Sequence, residues 1–377
     1  MSIRAGIIGC GKIADQHAQN ILSIPGCEIV GVCDTEVMMA KQLCERFGAG
    51  GYFSSVEGFL LATRPDVVHI TTPAESHLLL SKQCLEAGCH IYVEKPFVLN
   101  ATEAEELIAH ATRNNRKVTV GHNLQFGKAA IRMRDLVMSG FLGGPPVHIE
   151  SYYCYNFCDE KYAAAVLGDK THWVRNLPGK LLQNVISHGI ARIAEFLDGK
   201  DLQVISVGYT SDLLRKIGET DIVDELRVII SHGCMSAYFT FSSQMRPALH
   251  QFRLYGPRNG LLVDDDQQVL IRLGGTQYRH VMEHVVPSFL TAKEYLCNCM
   301  RNVVGILRGD LGMDAGMKVL IESFYRAIRG EGPLPIPYRE IVLTSKIMDM
   351  IFNQLELAKG QAGTGENAKS HGNNLQR

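Results

Sequence analysis

The stretch Ala5-Gly6-Ile7-Ile8-Gly9-Cys10-Gly11-Lys12-Ile13-Ala14 decides the fold. Its first four residues are an apolar strand, G-x-G-x-x-A follows, and a helix is expected through Leu22. Glycines there permit a tight turn and close approach of a pyrophosphate, and the alanine lets helix and strand pack closely. The helix N-terminus adds unpaired amides and the positive end of its dipole. Gly9, Gly11, Lys12, Ile13 and Ala14 are therefore the expected phosphate cradle. The next strand, Glu28–Asp34, ends in a carboxylate placed to accept ribose hydroxyls and to repel a 2′-phosphate. Thr35 follows rather than an arginine, so NAD is expected as cofactor over NADP. Asp34 also reads as an N-cap for a helix over residues 36–47.

The alternation continues. Val67-Val68-His69-Ile70-Thr71-Thr72-Pro73 is a strand with a proline stop, and His77 opens a helix through Ala87. Cys89–Val93 leads into Glu94-Lys95-Pro96; a helix over 102–114 and a strand over 117–121 close the series. Proline ends a strand because it lacks an amide hydrogen and keeps the preceding residue extended. Lys95 then sits at a strand end, where open α/β sheets bind ligands; alone, it would read as an ordinary surface lysine. Strands alternating with helices predict an α/β fold, an N-terminal Rossmann-type doubly wound parallel sheet over residues 1–122.

Beyond Gly121 the pattern changes. His122-Asn123-Leu124-Gln125-Phe126 is a polar-aromatic junction, followed by a helix over 128–139. Strands are expected at 147–153, 203–209, 222–231, 235–242, 251–255, 260–264 and 268–273, with a hairpin turn at Ser231-His232-Gly233-Cys234. Short polar turns between strands predict a C-terminal α+β domain, residues 123–358, with a large, mainly antiparallel sheet. Helices are expected over 285–307, over 314–329 with Asp314 as N-cap, and over 339–358. Residues 359–377 are polar and rich in Gly, Asn and Ser, and disorder is expected there.

Composition narrows the classes. Thirty-eight Lys plus Arg nearly balance 39 Asp plus Glu, which argues against nucleic acid or an anionic membrane as partner. No apolar run is long enough to span a bilayer, and no signal-peptide pattern precedes the first strand. Eleven cysteines without a C-x-x-C pair point to reduced thiols and a cytoplasmic protein. Cys154/Cys158 and Cys297/Cys299 lack companions at zinc-binding spacing, and His280 and His284 lack a third ligand, so no metal is expected.

The second chemical stretch runs from His172-Trp173-Val174-Arg175 through Gln183-Asn184-Val185-Ile186-Ser187-His188. On one helix Asn184 and His188 would share a face. A neutral imidazole accepts a proton near neutral pH; equally, His188 alone reads as a structural histidine. Arg175 suits a bidentate clamp on a carboxylate or phosphate, or a surface ion pair. Trp173 lines a sugar face or fills core, and the aromatic run Tyr152–Phe157 is expected near the pocket.

Taken together, G-x-G-x-x-A, Asp34, Thr72-Pro73-x-x-x-His77 and Glu94-Lys95-Pro96 resemble the Gfo/Idh/MocA oxidoreductases, the family of glucose-fructose oxidoreductase and inositol dehydrogenase. The resemblance implies hydride transfer between a nicotinamide and a hydroxyl carbon of a sugar, cyclitol or sugar derivative. Lys95 would sit at the reacting centre, Glu94 near the nicotinamide ribose, and Thr72, Pro73 and His77 along the cofactor cleft. His188 falls on the family's catalytic histidine and Asn184 on a position usually held by Asp. Ile186 and Ala191 also depart from the pattern, standing for a glycine and an acid. His122, Trp173, Arg175 and Asn184 are the expected substrate contacts. The family further implies a homo-oligomer, dimer or tetramer. Two alternatives stay open: redox-assisted glycoside cleavage or epimerisation with retained NAD, and a non-catalytic NAD- or sugar-sensing protein.

Overall fold

The computed structural model describes residues 2–157, 172–308 and 315–372 with positions 161, 164 and 170, and side chains as far as 358. Two sheets organise it. The first is six-stranded, in the order β3-β2-β1-β4-β5-β6. Its strands are β1 (Ile3–Ile8), β2 (Cys27–Cys33), β3 (Tyr52–Phe53), β4 (Val67–Ile70), β5 (His90–Val93) and β6 (Val118–Val120). All five pairings are parallel. Helices cover both faces, which is why β4 is buried at every position. Helix α1 (Lys12–Leu22) shows the matching stripe, burying Ala14, His17, Ala18 and Ile21.

The second sheet has seven strands. They are β7 (His148–Asn156), β8 (Leu202–Tyr209), β9 (Glu225–His232), β10 (Met235–Ser242), β11 (Gln244–Tyr255), β12 (Gly260–Asp264) and β13 (Val269–Leu273). Their order is β13-β12-β11-β7-β10-β9-β8. Only β7 and β10 pair in parallel; the other five pairings are antiparallel. The turn expected between β9 and β10 is present, with His232 opposite Met235 and Gly233 at a φ of 57°. Strand β9 begins at Glu225 rather than Ile222. The buried Asp224 carboxylate accepts from the Ser211 amide and from the hydroxyls of Ser211 and Ser243, and Ile222 joins a small separate apolar cluster.

The helix expected to carry both Asn184 and His188 is broken at Ile186, leaving one segment over Lys180–Val185 and another over Ser187–Ala194. The closing helix runs Tyr338–Gly372. Before it, the helix Ala315–Ile328 returns to the first domain, and Met317, Leu320, Ile321, Phe324 and Tyr325 join its core. Asp314, Cys158 and the side chains of the tail after 358 lie outside the described residues. No described helix is long and apolar enough to cross a membrane.

Candidate active site

The site forms at the C-terminal edge of the parallel sheet, where the loops after β1, β2, β4 and β5 converge. Gly9 has a φ of 95°, and a Cβ there would meet Thr71 and Thr72 at 2.8 Å, so only glycine lets the first loop lie against the third. Gly11 is the N-cap of α1; no side chain caps that helix, and a Cβ on Gly11 would meet nothing within 4 Å. Lys12 and Ile13 begin the helix and Ala14 is fully buried beneath it. Unsatisfied amides facing open space are what a pyrophosphate requires. Asp34 accepts from the Cys10 amide at 2.6 Å and from the Glu36 amide at 2.8 Å. It thus pins the glycine loop to the end of β2, and its remaining lone pairs still suit ribose hydroxyls. It does not cap the next helix, which starts at Val37 with Glu36 as N-cap.

The other cofactor-side residues fall into place around β4 and β5. The Thr72 hydroxyl pairs with that of Ser76 at 2.7 Å, and Pro73 begins the short turn Ala74–Ser76. His77 is buried, with Nε2 2.9 Å from the Thr72 carbonyl and Nδ1 3.0 Å from that of Pro96. Its ring is occupied in tying the Thr72-Pro73 loop to the Lys95-Pro96 loop, so it shapes the cleft from beneath. Burial, outweighing those carbonyls, lowers its pKa.

Glu94 heads a buried chain that the sequence reading missed. Its Oε1 lies 2.9 Å from His17 Nε2, His17 Nδ1 lies 2.8 Å from His69 Nδ1, and His69 Nε2 lies 2.8 Å from the Tyr325 hydroxyl. With both rings neutral and Glu94 ionised, one orientation satisfies every group: Tyr325 donates to His69, His69 to His17, and His17 to Glu94. Burial opposes the Glu94 charge, but the hydrogen bond from His17 and the charge of Lys95 outweigh it and hold the carboxyl below its ordinary pKa. His69 is neutral by burial. The available signal was a histidine on the buried stripe of α1, between Ala14 and Ala18.

Lys95 reaches across from the end of β5 to the second domain. Its Nζ donates to the Asn184 backbone carbonyl at 3.0 Å and lies 3.4 Å from Asn184 Oδ1. Asn184 stands in the last turn of its short helical segment, where carbonyls lack helical partners and a cation is favoured. Burial depresses the Lys95 pKa and Glu94 restores part of it. Gln183 fixes this approach, accepting from the Gly179 amide at 2.9 Å and donating to the Leu99 carbonyl at 2.6 Å.

His188 is the second residue of the next segment, one turn on. Its ring lies 5.9 Å from that of His122 and 5.7 Å from that of Tyr153. His188 Nδ1 and His122 Nε2 are both buried without a hydrogen-bond partner among the described residues. Burial, then the charge of Lys95, drives the His188 pKa well down; burial, opposed by Glu94 and aided by Lys95, brings His122 to about 4. Both rings are neutral bases at pH 7. Tyr153, Tyr155 and His250 complete the wall, the Tyr155 hydroxyl donating to Tyr153 at 2.8 Å. The aromatic run on β7 thus does reach the site, joined by His250 from β11, which only strand pairing could reveal. Ile186 and Ala191 are both buried, Ile186 within the second core.

Two expected substrate contacts, Arg175 and Trp173, have partners within the protein. Arg175 Nη2 pairs with Glu219 at 2.6 Å, and Glu219 also accepts from the amides of Asp221 and Ile222. The arginine fastens a loop through this ion pair. Trp173 stacks on His172, with ring centroids 5.7 Å apart, and packs against the small cluster of Val174, Leu181, Leu214 and Ile222.

A 3-2-1-4-5-6 parallel sheet, an uncapped glycine loop and an acid closing β2 define a dinucleotide-binding protein. The comparisons agree. Residues 3–122 match the model of the Gfo/Idh/MocA oxidoreductase family, NAD-binding Rossmann fold. The chain is 32% identical over 142 residues to the D-glucoside 3-dehydrogenase of Escherichia coli K12, covering 37% of this chain and 40% of that protein. It is 24% identical over 186 residues to an inositol 2-dehydrogenase of Salmonella typhimurium, covering 47% and 55%. The aligned segments thus span about half the length of these curated relatives. In three dimensions it resembles the WlbA dehydrogenase from Bordetella pertussis, solved with NADH and UDP-GlcNAcA, with a TM-score of 0.71 over 93% of this chain and 95% of that one. Identity there is 16%, so the shared property is the fold.

Proposed function

We propose that this protein is an NAD-dependent dehydrogenase acting on a secondary hydroxyl of a sugar, cyclitol or sugar derivative. The observation that carries the reading is the meeting of Lys95, from the cofactor domain, with Asn184 beside His188 and its buried, unpartnered Nδ1. The nicotinamide, when bound, supplies the hydride acceptor. The chain's own groups manage the proton and the charge. His188, neutral and desolvated, takes the hydroxyl proton as the carbinol is oxidised. The Lys95 ammonium stabilises the developing alkoxide, and in so closed a site a fixed cation is worth a few kcal/mol of barrier, roughly. Asn184 holds Lys95 in place through its backbone carbonyl. Asp34 favours NAD over NADP through its charge at the adenosine ribose.

The test is NADH formation by the purified chain across cyclitols, aldoses, uronic acids and nucleotide sugars, with Lys95→Ala alongside. Turnover that survives in the variant would remove Lys95 from the mechanism. No turnover with any compound, and no NAD released on denaturation, would overturn the proposal.

A further inference from the structure

The helix Met282–Leu307 is fastened to the protein by its polar side. Asn298, fully buried, donates to the Leu270 carbonyl at 2.8 Å and accepts from Arg132 at 2.7 Å. Glu294 accepts from Arg272 at 2.8 Å, and Asn302 donates to the Gln267 carbonyl at 2.7 Å. These contacts lay the helix along the free edge of β13. A surface helix ordinarily buries its apolar stripe and shows water its polar one; this helix does the reverse. Phe289 is 70% exposed and Leu296 63%.

The exposed stripe has a period of its own. Met282, Phe289, Leu296 and Val303 fall seven apart, and so do Val285, Ala292, Cys299 and Ile306 between them. All eight are exposed. This is the alternating 3–4 spacing of a helix–helix seam, sustained over the whole helix. The sequence of sizes is also self-complementary. Turned antiparallel about residue 294, Met282 faces the partner's Ile306 and Val285 faces the partner's Val303. Phe289 then meets the partner's Cys299, and Leu296 the partner's Ala292, so large side chains oppose small ones.

We infer that this helix pairs antiparallel with the same helix of a second copy of the chain, along the seam Met282–Ile306. Dimensions agree. A 26-residue helix is about 39 Å long, and half its circumference gives roughly 600 Å² of envelope, close to the ~800 Å² per partner of a stable interface. A two-fold axis requires one patch to match itself, and this register meets that condition. A membrane surface fits less well: the helix carries Lys293 and Arg301 against Glu283 and Glu294, with no excess of positive charge for anionic lipid.

The test is the mass of the full-length chain by sedimentation equilibrium, for the parent and for Phe289→Glu/Leu296→Glu. The expected result is a halving of mass in the variant, with an unchanged far-UV circular dichroism spectrum. An unchanged mass overturns the inference. Register is read separately by oxidative cross-linking with Cys297 and Cys299 replaced by Ser, which leaves the seam otherwise intact. Val285→Cys/Val303→Cys should link two chains while Val285→Cys alone should not; the opposite result means a parallel pair and refutes the antiparallel seam. A parent chain that is monomeric and floats with phosphatidylcholine/phosphatidylglycerol vesicles refutes it in favour of a lipid surface.

Discussion

Asn184→Asp places a carboxylate where Oδ1 now lies 3.4 Å from Lys95 Nζ. At an effective dielectric of 20, two unit charges at that separation attract by about 5 kcal/mol. Bringing a new ion into a closed site costs several kcal/mol in lost hydration, so a net gain of about 1.5 to 3 kcal/mol remains for the ion pair. That corresponds to an upward move of roughly one to two units in the Lys95 pKa. The sign is fixed by the starting state: burial lowers this pKa in the parent, with Glu94 opposing, so the ammonium is lost early as pH rises. A reaction that needs the ammonium declines on its alkaline side, and the variant should hold activity to higher pH by one to two units. His188, one turn along, should also bind its proton more tightly, carrying the acid limb upward. The assay is kcat and kcat/KM for NAD reduction from pH 5 to 11 in parent, Asn184→Asp and Asn184→Ala. The alanine variant keeps the 3.0 Å backbone contact to Lys95 and should show the parent's alkaline limb. An aspartate variant whose alkaline limb stays within a few tenths of a unit of the parent's would show that Lys95 does not titrate in the rate-limiting state.

Lys95→Ala should lower kcat by roughly 10²- to 10³-fold, as loss of one oxyanion stabiliser does, with NAD affinity by calorimetry little changed. Tyr325→Phe strips the donor from His69 Nε2 in a fully buried chain, so a loss of about 1 to 3 kcal/mol is expected in urea unfolding; a stability equal to the parent's would mean the chain is not formed. Asp34→Ala should narrow the preference for NAD over NADP in kcat/KM and, by orphaning the Cys10 amide, also lower the melting temperature. His122 is held neutral by burial, its pKa lowered from 6.5 to about 4. The unfolded chain therefore takes up that proton first as pH falls, and stability drops between pH 6.5 and 4 by up to roughly 3 kcal/mol from this residue. His122→Phe should flatten that part of the stability profile.

Local signals carried most of the first domain. Strand endings at Pro73 and Pro96 and the glycine loop are written in consecutive residues, and the observed strands begin and end within a few positions of where those signals place them. The second sheet was legible as alternation, but its order was not, because β7 pairs with β10 and β11 over long separations. The site divides the same way. Lys95 could be named from its strand end, and Asn184 and His188 from their spacing and the family resemblance, yet Lys95 meets Asn184 at its backbone carbonyl, which has no sequence signature. The break at Ile186 removes the continuous helix that the four-residue spacing assumed. Arg175 read equally as a clamp or as an ion pair, and its partner Glu219 lies forty-four residues away in sequence, beyond the reach of any local signal.

The chain Glu94–His17–His69–Tyr325 has a consequence for how the protein is made. Its last member lies on a helix that follows both sheets, and Tyr338 likewise accepts the Val118 amide at 3.2 Å. A ribosome releasing the first 122 residues has not yet made either tyrosine. At 5–20 residues per second, those side chains emerge roughly 10 to 40 s later. Until then the nascent nucleotide domain carries two buried-to-be histidines and an acid without their terminal donor, and a bare apolar face where residues 317–325 will dock. The first domain in sequence is therefore among the last parts of the molecule to be finished, and a gene fragment encoding it alone would not be a transferable cofactor module.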